Sequence, residues 1–281
     1  MSASQLAQDL VQPAGTGDQV DADLVRAEID RLPPAELTML RDKGVKVLAC
    51  RGSVVDHRPE LASVKPRGWP DGYTWSMVPG AYLPDEGSVA IATLSDPQGA
   101  RYIPPKGVMH SSWNLVIHET MHADDYLGGR LRSHNPDFLS ARTADLAALD
   151  PYEQQQGAAG YEETYAESAA RHFGLDPAFP AAWANLAAFW SARILPVPPG
   201  PADRALAVAA DHIGAAEVDA SGAIRLDLRA ESADGALGHA LFVIAPETPA
   251  HAAITAHLAG GRPRRRAPAL NAGVQLVAPF R

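Results

Sequence analysis

The chain has 281 residues, 46% of them hydrophobic and 20% charged, enough to bury a sizeable core in one large domain or two small ones. Its formal charge of −9 argues against the clustered cations that phosphate-backbone binding needs, so nucleic acid is not an expected partner. No apolar run approaches the roughly 20 residues of a membrane span, the opening residues lack a signal-like basic start and apolar centre, and the lone Cys50 cannot form an internal disulfide. A cytoplasmic chain, or one exported by a leaderless route, is the expectation.

Residues 1–19, rich in Gln, Ser, Gly and Ala, have the composition of a loose terminus. After Asp21, LVRAEIDRL predicts a helix, and PPAELTMLRDKG predicts a second, opened by prolines and stopped at Gly44. VKVLAC (45–50) predicts a short strand that buries Cys50, and GAYLPDEGSVAIATL (80–94) predicts a hairpin turning at Pro84–Gly87. Ser111 or Ser112 is the expected cap of the next helix, which carries WNLVIHETMHADDYL and stops at Gly128 and Gly129.

Asn135–Pro136 opens a further helix to about residue 149, GYEETYAESAARHF makes another closed by Gly174, and PAAWANLAAFWSARI a fourth. LPVPPGPAD (195–203) is the clearest linker. Beyond it the pattern predicts a helix at about 202–213, strands in IRLDLRA and ALFVIAP, a helix near 247–258, and an apolar run, GVQLVAPF. The basic cluster Arg262, Arg264, Arg265 and Arg266, broken by Pro263, reads as a solvated loop.

The chemistry concentrates in LVIHETMHADD (115–125). On a helix, positions four apart differ by about 40° in direction and about 6 Å in height, so His118 and His122 can converge on one ion. Zinc held by two histidines and a carboxylate keeps a fourth position for water and lowers its pKa to about 7, and Glu119 would stand beside that water as general base. A chance His-Glu-x-x-His is expected in on the order of one chain in a hundred of this composition, which favours a metal site over a satisfied histidine pair. Asp125 shares the helix face but lies too far along the axis to reach the ion. Asp124 and Asp125 read either as partners of the ligands or as surface charges. EETYAES supplies the third ligand candidate: Glu163 and Glu167 are one helical turn apart, Glu163 as ligand and Glu167 hydrogen-bonded to a ligand histidine. Glu162 points elsewhere and reads as solvated.

HETMHADDYLGG followed by EETYAESAARHFG resembles the catalytic domain of anthrax lethal factor and the related Pro-Pro endopeptidases, over roughly residues 35–195. The resemblance implies zinc held by His118, His122 and Glu163, with Glu119 as base and Glu167 in support. It also implies hydrolysis of a peptide lying along an edge strand, here SVAIATL. A tyrosine upstream of the ligand glutamate would stabilise the oxyanion. The family spacing falls on Gln156, a departure, so Tyr152 is the candidate and Tyr161 its rival.

The expected architecture is α+β: a flexible N-terminus (1–19), a mainly helical zincin-like metallopeptidase domain with a small sheet (20–197), and a smaller α/β C-terminal region of unknown role (198–281). The expected function is that of a zinc endopeptidase of the glutamate-ligand (gluzincin) class acting on a peptide or protein substrate, as a toxin-like or effector-like secreted protease. The alternatives are an inactive zincin-fold binding module and a zinc hydrolase of a non-peptide amide. Glu119→Ala and substrate profiling separate the three.

Overall fold

The computed structural model describes residues 2–127, 129, 131–192, 196–200, 212–260 and 274–280. Nearly all of the helix expected at 202–213, and all of the 262–266 arginine cluster, lie outside them.

Residues 3–13, expected to be loose, are ordered. Ser2 accepts the Gln5 N–H and caps α1 (Ala3–Leu10), whose Leu6, Ala7 and Leu10 are buried, and the chain continues into strand β1 (Val11–Pro13). An apolar residue on each turn decided this against the polar composition. Helices α2 (Gln19–Ile29) and α3 (Pro34–Asp42) follow, then β2 (Lys46–Arg51) with Cys50 buried inside it. Strands β3 (Gly80–Leu83) and β4 (Ser88–Ser95) form the expected hairpin, Tyr82 opposite Val89, and β5 (Arg101–Tyr102) pairs with the end of β4.

The site helix α4 (Leu115–Tyr126) is capped by Asn114, which accepts the Ile117 N–H at 3.0 Å, and not by Ser111 or Ser112. α5 (Pro136–Asp145), α6 (Gly157–Phe173), α7 (Phe179–Ala182) and α8 (Ala184–Ala192) complete the helical part. The C-terminal part supplies β6 (Gly214–Val218), β7 (Ile224–Glu231), β8 (Leu237–Ile244), α9 (Pro249–Gly260) and β9 (Val274–Val277).

The architecture is α+β around one mixed sheet, ordered β1-β2-β4-β3-β8-β7-β6-β9 with β5 beside β4. β1, β2 and β4 run parallel; every pair from β4–β3 to β6–β9 is antiparallel. One apolar cluster joins α1–α8 to one face of the sheet through Val47, Val89 and Ile91. The other face packs on Trp69, Trp75 and the α9 residues Ile254 and Leu258.

Two expectations change here. SVAIATL is β4, an inner strand with β2 on one side and β3 on the other, so it offers no free edge to a substrate. Strand order depends on pairings that local alternation does not encode. The boundary drawn at residue 197 also crosses a continuous sheet, because β8 pairs directly with β3.

Candidate metal centre

All twelve residues of α4 are buried, because the helix lies between the sheet and α6. Gly80 in β3 lets it approach: a Cβ there would lie 2.9 Å from both Glu119 Cγ and Leu115 Cδ1. Ala166, Ala169 and Ala170 on α6 are fully buried, and their small size allows close packing of that helix.

The two helices bring three donor atoms together. His118 Nε2 and His122 Nε2 are 3.2 Å apart, and Glu163 Oε2 lies 3.5 Å from the first and 3.6 Å from the second. Donors about 2.0–2.1 Å from a tetrahedral ion are spaced by about 3.3 Å, so the three form one face of such a site. Among the described residues Glu163 Oε2 has no hydrogen-bond donor, as an atom reserved for a cation would. His118 Nδ1 lies 3.3 Å from Glu167 Oε2, and an Nδ1–H donated there would free the Nε2 lone pair for a cation beside Glu163. Glu167 is itself held by Trp113 N–H at 3.1 Å and Arg171 Nε at 3.0 Å.

Burial alone would raise the pKa of Glu163, but the neighbouring His122 and His118 imidazoles and the Arg229 guanidinium hold it well below the usual carboxylate range. Glu167 is likewise penalised by burial, yet His118 and Arg171 bring it to about 2. Burial raises the pKa of Glu119, a trend opposed by the neighbouring His118 and His122 imidazoles. The Glu119 Oε1 atom is 3.1 Å from His239 Nδ1, while its Oε2 is without a partner among the described residues.

The remaining candidates divide. Tyr152 is buried, its hydroxyl has no partner among the described residues, and its ring centroid lies 6.1 Å from that of His239. Tyr161 faces the other way, against His134 and under Arg142. Glu162 is not solvated: it is 2% exposed and pairs with Arg229 at 2.5 Å. Asp124 and Asp125 are neither surface charges nor partners of the histidines. Both are buried; Asp124 accepts the Tyr165 hydroxyl of α6 at 2.7 Å and lies 2.8 Å from Arg132 Nε, and Asp125 accepts the Ser133 N–H at 2.7 Å, so the last two contacts fix the chain that follows α4.

No protein-family model matches the chain. Over 135 residues it is 37% identical to a Pro-Pro endopeptidase of Paenibacillus alvei, a stretch that is 47% of this chain and 57% of the relative. A Pro-Pro endopeptidase of Clostridioides difficile is 29% identical over 125 residues, 43% of this chain and 52% of that protein. The chain is similar to Pro-Pro endopeptidases. It spans a little over half the length of these curated relatives. The solved structure of the Paenibacillus alvei enzyme superposes with a TM-score of 0.51 at 26% identity, covering 66% of this chain and 99% of that one.

Two residues of the candidate site are not marked in the sequence by any motif. Arg229 in β7 and His239 in β8 are direct cross-strand neighbours. Arg229 Nη1 donates to Glu163 Oε1 at 2.7 Å, and His239 meets Glu119. Burial and the neighbouring His118 imidazole lower the His239 pKa to about 4, so its ring is neutral, with Nε2 buried and unpartnered among the described residues. A signal was present: IRLDLRA alternates strictly, its apolar residues Ile224, Leu226 and Leu228 packing on one face of the sheet. Arg225, Asp227 and Arg229 therefore share the opposite face, a row of charges on a strand buried at both Asp227 and Arg229.

Proposed function

We propose that the chain is a zinc-dependent endopeptidase of the gluzincin class, with a zincin-like helical part and zinc held by His118, His122 and Glu163. When bound, the ion supplies Lewis acidity and a water of lowered pKa. Glu119, next to His118 on α4, takes up the water's proton and returns it to the leaving amine. Glu167 fixes the His118 tautomer and ring orientation through Nδ1. The Tyr152 hydroxyl is the candidate donor to the developing oxyanion.

The observation that carries the reading is the triangle of donor atoms, 3.2, 3.5 and 3.6 Å on its edges, contributed by two helices distant in sequence. The names of the relatives add support for a peptide substrate and make a Pro–Pro bond the first one to test. A peptide library read by mass spectrometry, with and without chelator, tests it. Wild type cuts, the chelated enzyme does not, and Glu119→Ala loses cleavage while retaining metal; equal peptide profiles for wild type and Glu119→Ala would end the proposal.

One observation favours a second reading, a zincin-fold binding module without activity. Glu119 is 0% exposed and the three candidate ligands no more than 2%. The same comparison of wild type with Glu119→Ala separates the two.

A further inference from the structure

We infer that β7 and β8 are a built-in occupant of the substrate cleft and close the candidate centre until they are displaced; the inference rests on the peptidase reading above. β8 adds antiparallel to β3, with Gly238 opposite Ala81 and Leu237 opposite Tyr82. β3 is the strand that α4 approaches at Glu119 through Gly80. An extended peptide docks on a sheet edge in this manner, main chain to main chain, with alternate side chains entering the site.

The side chains that enter belong to the protein itself. His239 engages Glu119, the proposed base, and its cross-strand neighbour Arg229 engages Glu163, the proposed third ligand. On the far flank, Leu241 N–H donates to Met109 O at 2.8 Å, and Met109 sits at φ 65°, a left-handed conformation that a methionine rarely adopts. A cavity of about 190 Å³ beside the centre is lined by Tyr152 and Asp227 but by none of His118, Glu119, His122 and Glu163. A peptide bond therefore reaches the four only if β8 leaves β3.

The test uses the full chain loaded with zinc and two opposed variants. Gly238→Val places a Cβ 2.6 Å from Gly80 O and 2.9 Å from Val78 Cγ1, which forces β8 away from β3. Tyr82→Cys/Leu237→Cys tethers the two strands at a paired position when oxidised. The readouts are the rate of zinc loss to excess chelator and the rate of peptide-library cleavage.

Gly238→Val is expected to speed both at least tenfold, and oxidation of the tether to slow both at least tenfold relative to its reduced form. Unchanged chelator access in a folded Gly238→Val, or lower cleavage despite faster access, overturns the inference. If Gly238→Val does not fold, the tether decides: equal rates oxidised and reduced overturn it. Chelator access that follows both variants as expected while no form cuts any peptide sustains the closure and defeats the peptidase reading instead.

Discussion

Arg229→Ala separates the protein's need for a cation at Glu163 from its need for one at Glu162. The guanidinium lies 2.7 Å from Glu163 and 2.5 Å from Glu162, and its side chain is 6% exposed. Removing one partner of a buried ion pair costs about 3–5 kcal/mol, because the remaining charge is left without compensation. In metal-free protein both carboxylates lose their cation, so the full penalty is expected. With zinc bound, Glu163 is neutralised by the ion and only Glu162 is stranded, so the penalty falls to about half. By linkage that difference, about 2 kcal/mol, appears as metal affinity raised roughly 30-fold in the variant. Urea unfolding of wild type and variant, each in excess chelator and in saturating zinc, measures all four stabilities. Equal destabilisation in the two conditions would refute the placement of the ion at Glu163.

Three further outcomes are expected. Glu36 is buried against Asp124, and burial first, then the Asp124 charge, push its pKa up to about 10. It is therefore neutral in the fold but ionised in the unfolded chain above about pH 4.5, so it weakens the wild type as pH rises. Glu36→Gln should gain stability over wild type by up to about 1.4 kcal/mol per pH unit between pH 5 and 7, and a pH-independent difference in unfolding midpoint would contradict this. Of the three Pro–Pro bonds in the sequence, Pro198–Pro199 is the one with both residues exposed. Active wild type should cut Glu119→Ala chain at that bond in trans, seen as a fragment beginning at Pro199, and an intact chain under conditions that cut a Pro–Pro peptide would count against it. Glu167→Gln should weaken metal binding by about 10–100-fold without removing a ligand, read by competition with a chromophoric chelator. Unchanged affinity would show that His118 needs no anchor.

The grouping of the candidate site was more legible than the sheet. His118, Glu119 and His122 follow from helical periodicity, and Glu163 with Glu167 from a second helix on which the two acids stand one turn apart beside Ala166 and Ala169. What local pattern could not supply was the partner of each charge. Glu162, Asp124 and Asp125 look like surface acids until Arg229, Tyr165 and Ser133 arrive from elsewhere in the chain. His239 is 120 residues from Glu119, and nothing local to either links them. Strand order failed for the same reason: SVAIATL reads identically as an inner or an edge strand, and only the arrival of β2 and β3 on its two sides decides. At the N-terminus a short helix with one apolar residue per turn was outweighed by Gln, Ser and Gly in the average composition.

The claim on which the rest depends is that a carboxylate from α6 completes a centre begun by two histidines of α4. Metal content and affinity of Glu163→Ala beside wild type and His122→Ala test it most directly. About one zinc per wild-type chain, with binding lost or severely weakened in both variants, is the predicted result; a Glu163→Ala protein that holds one zinc as tightly as wild type would contradict it.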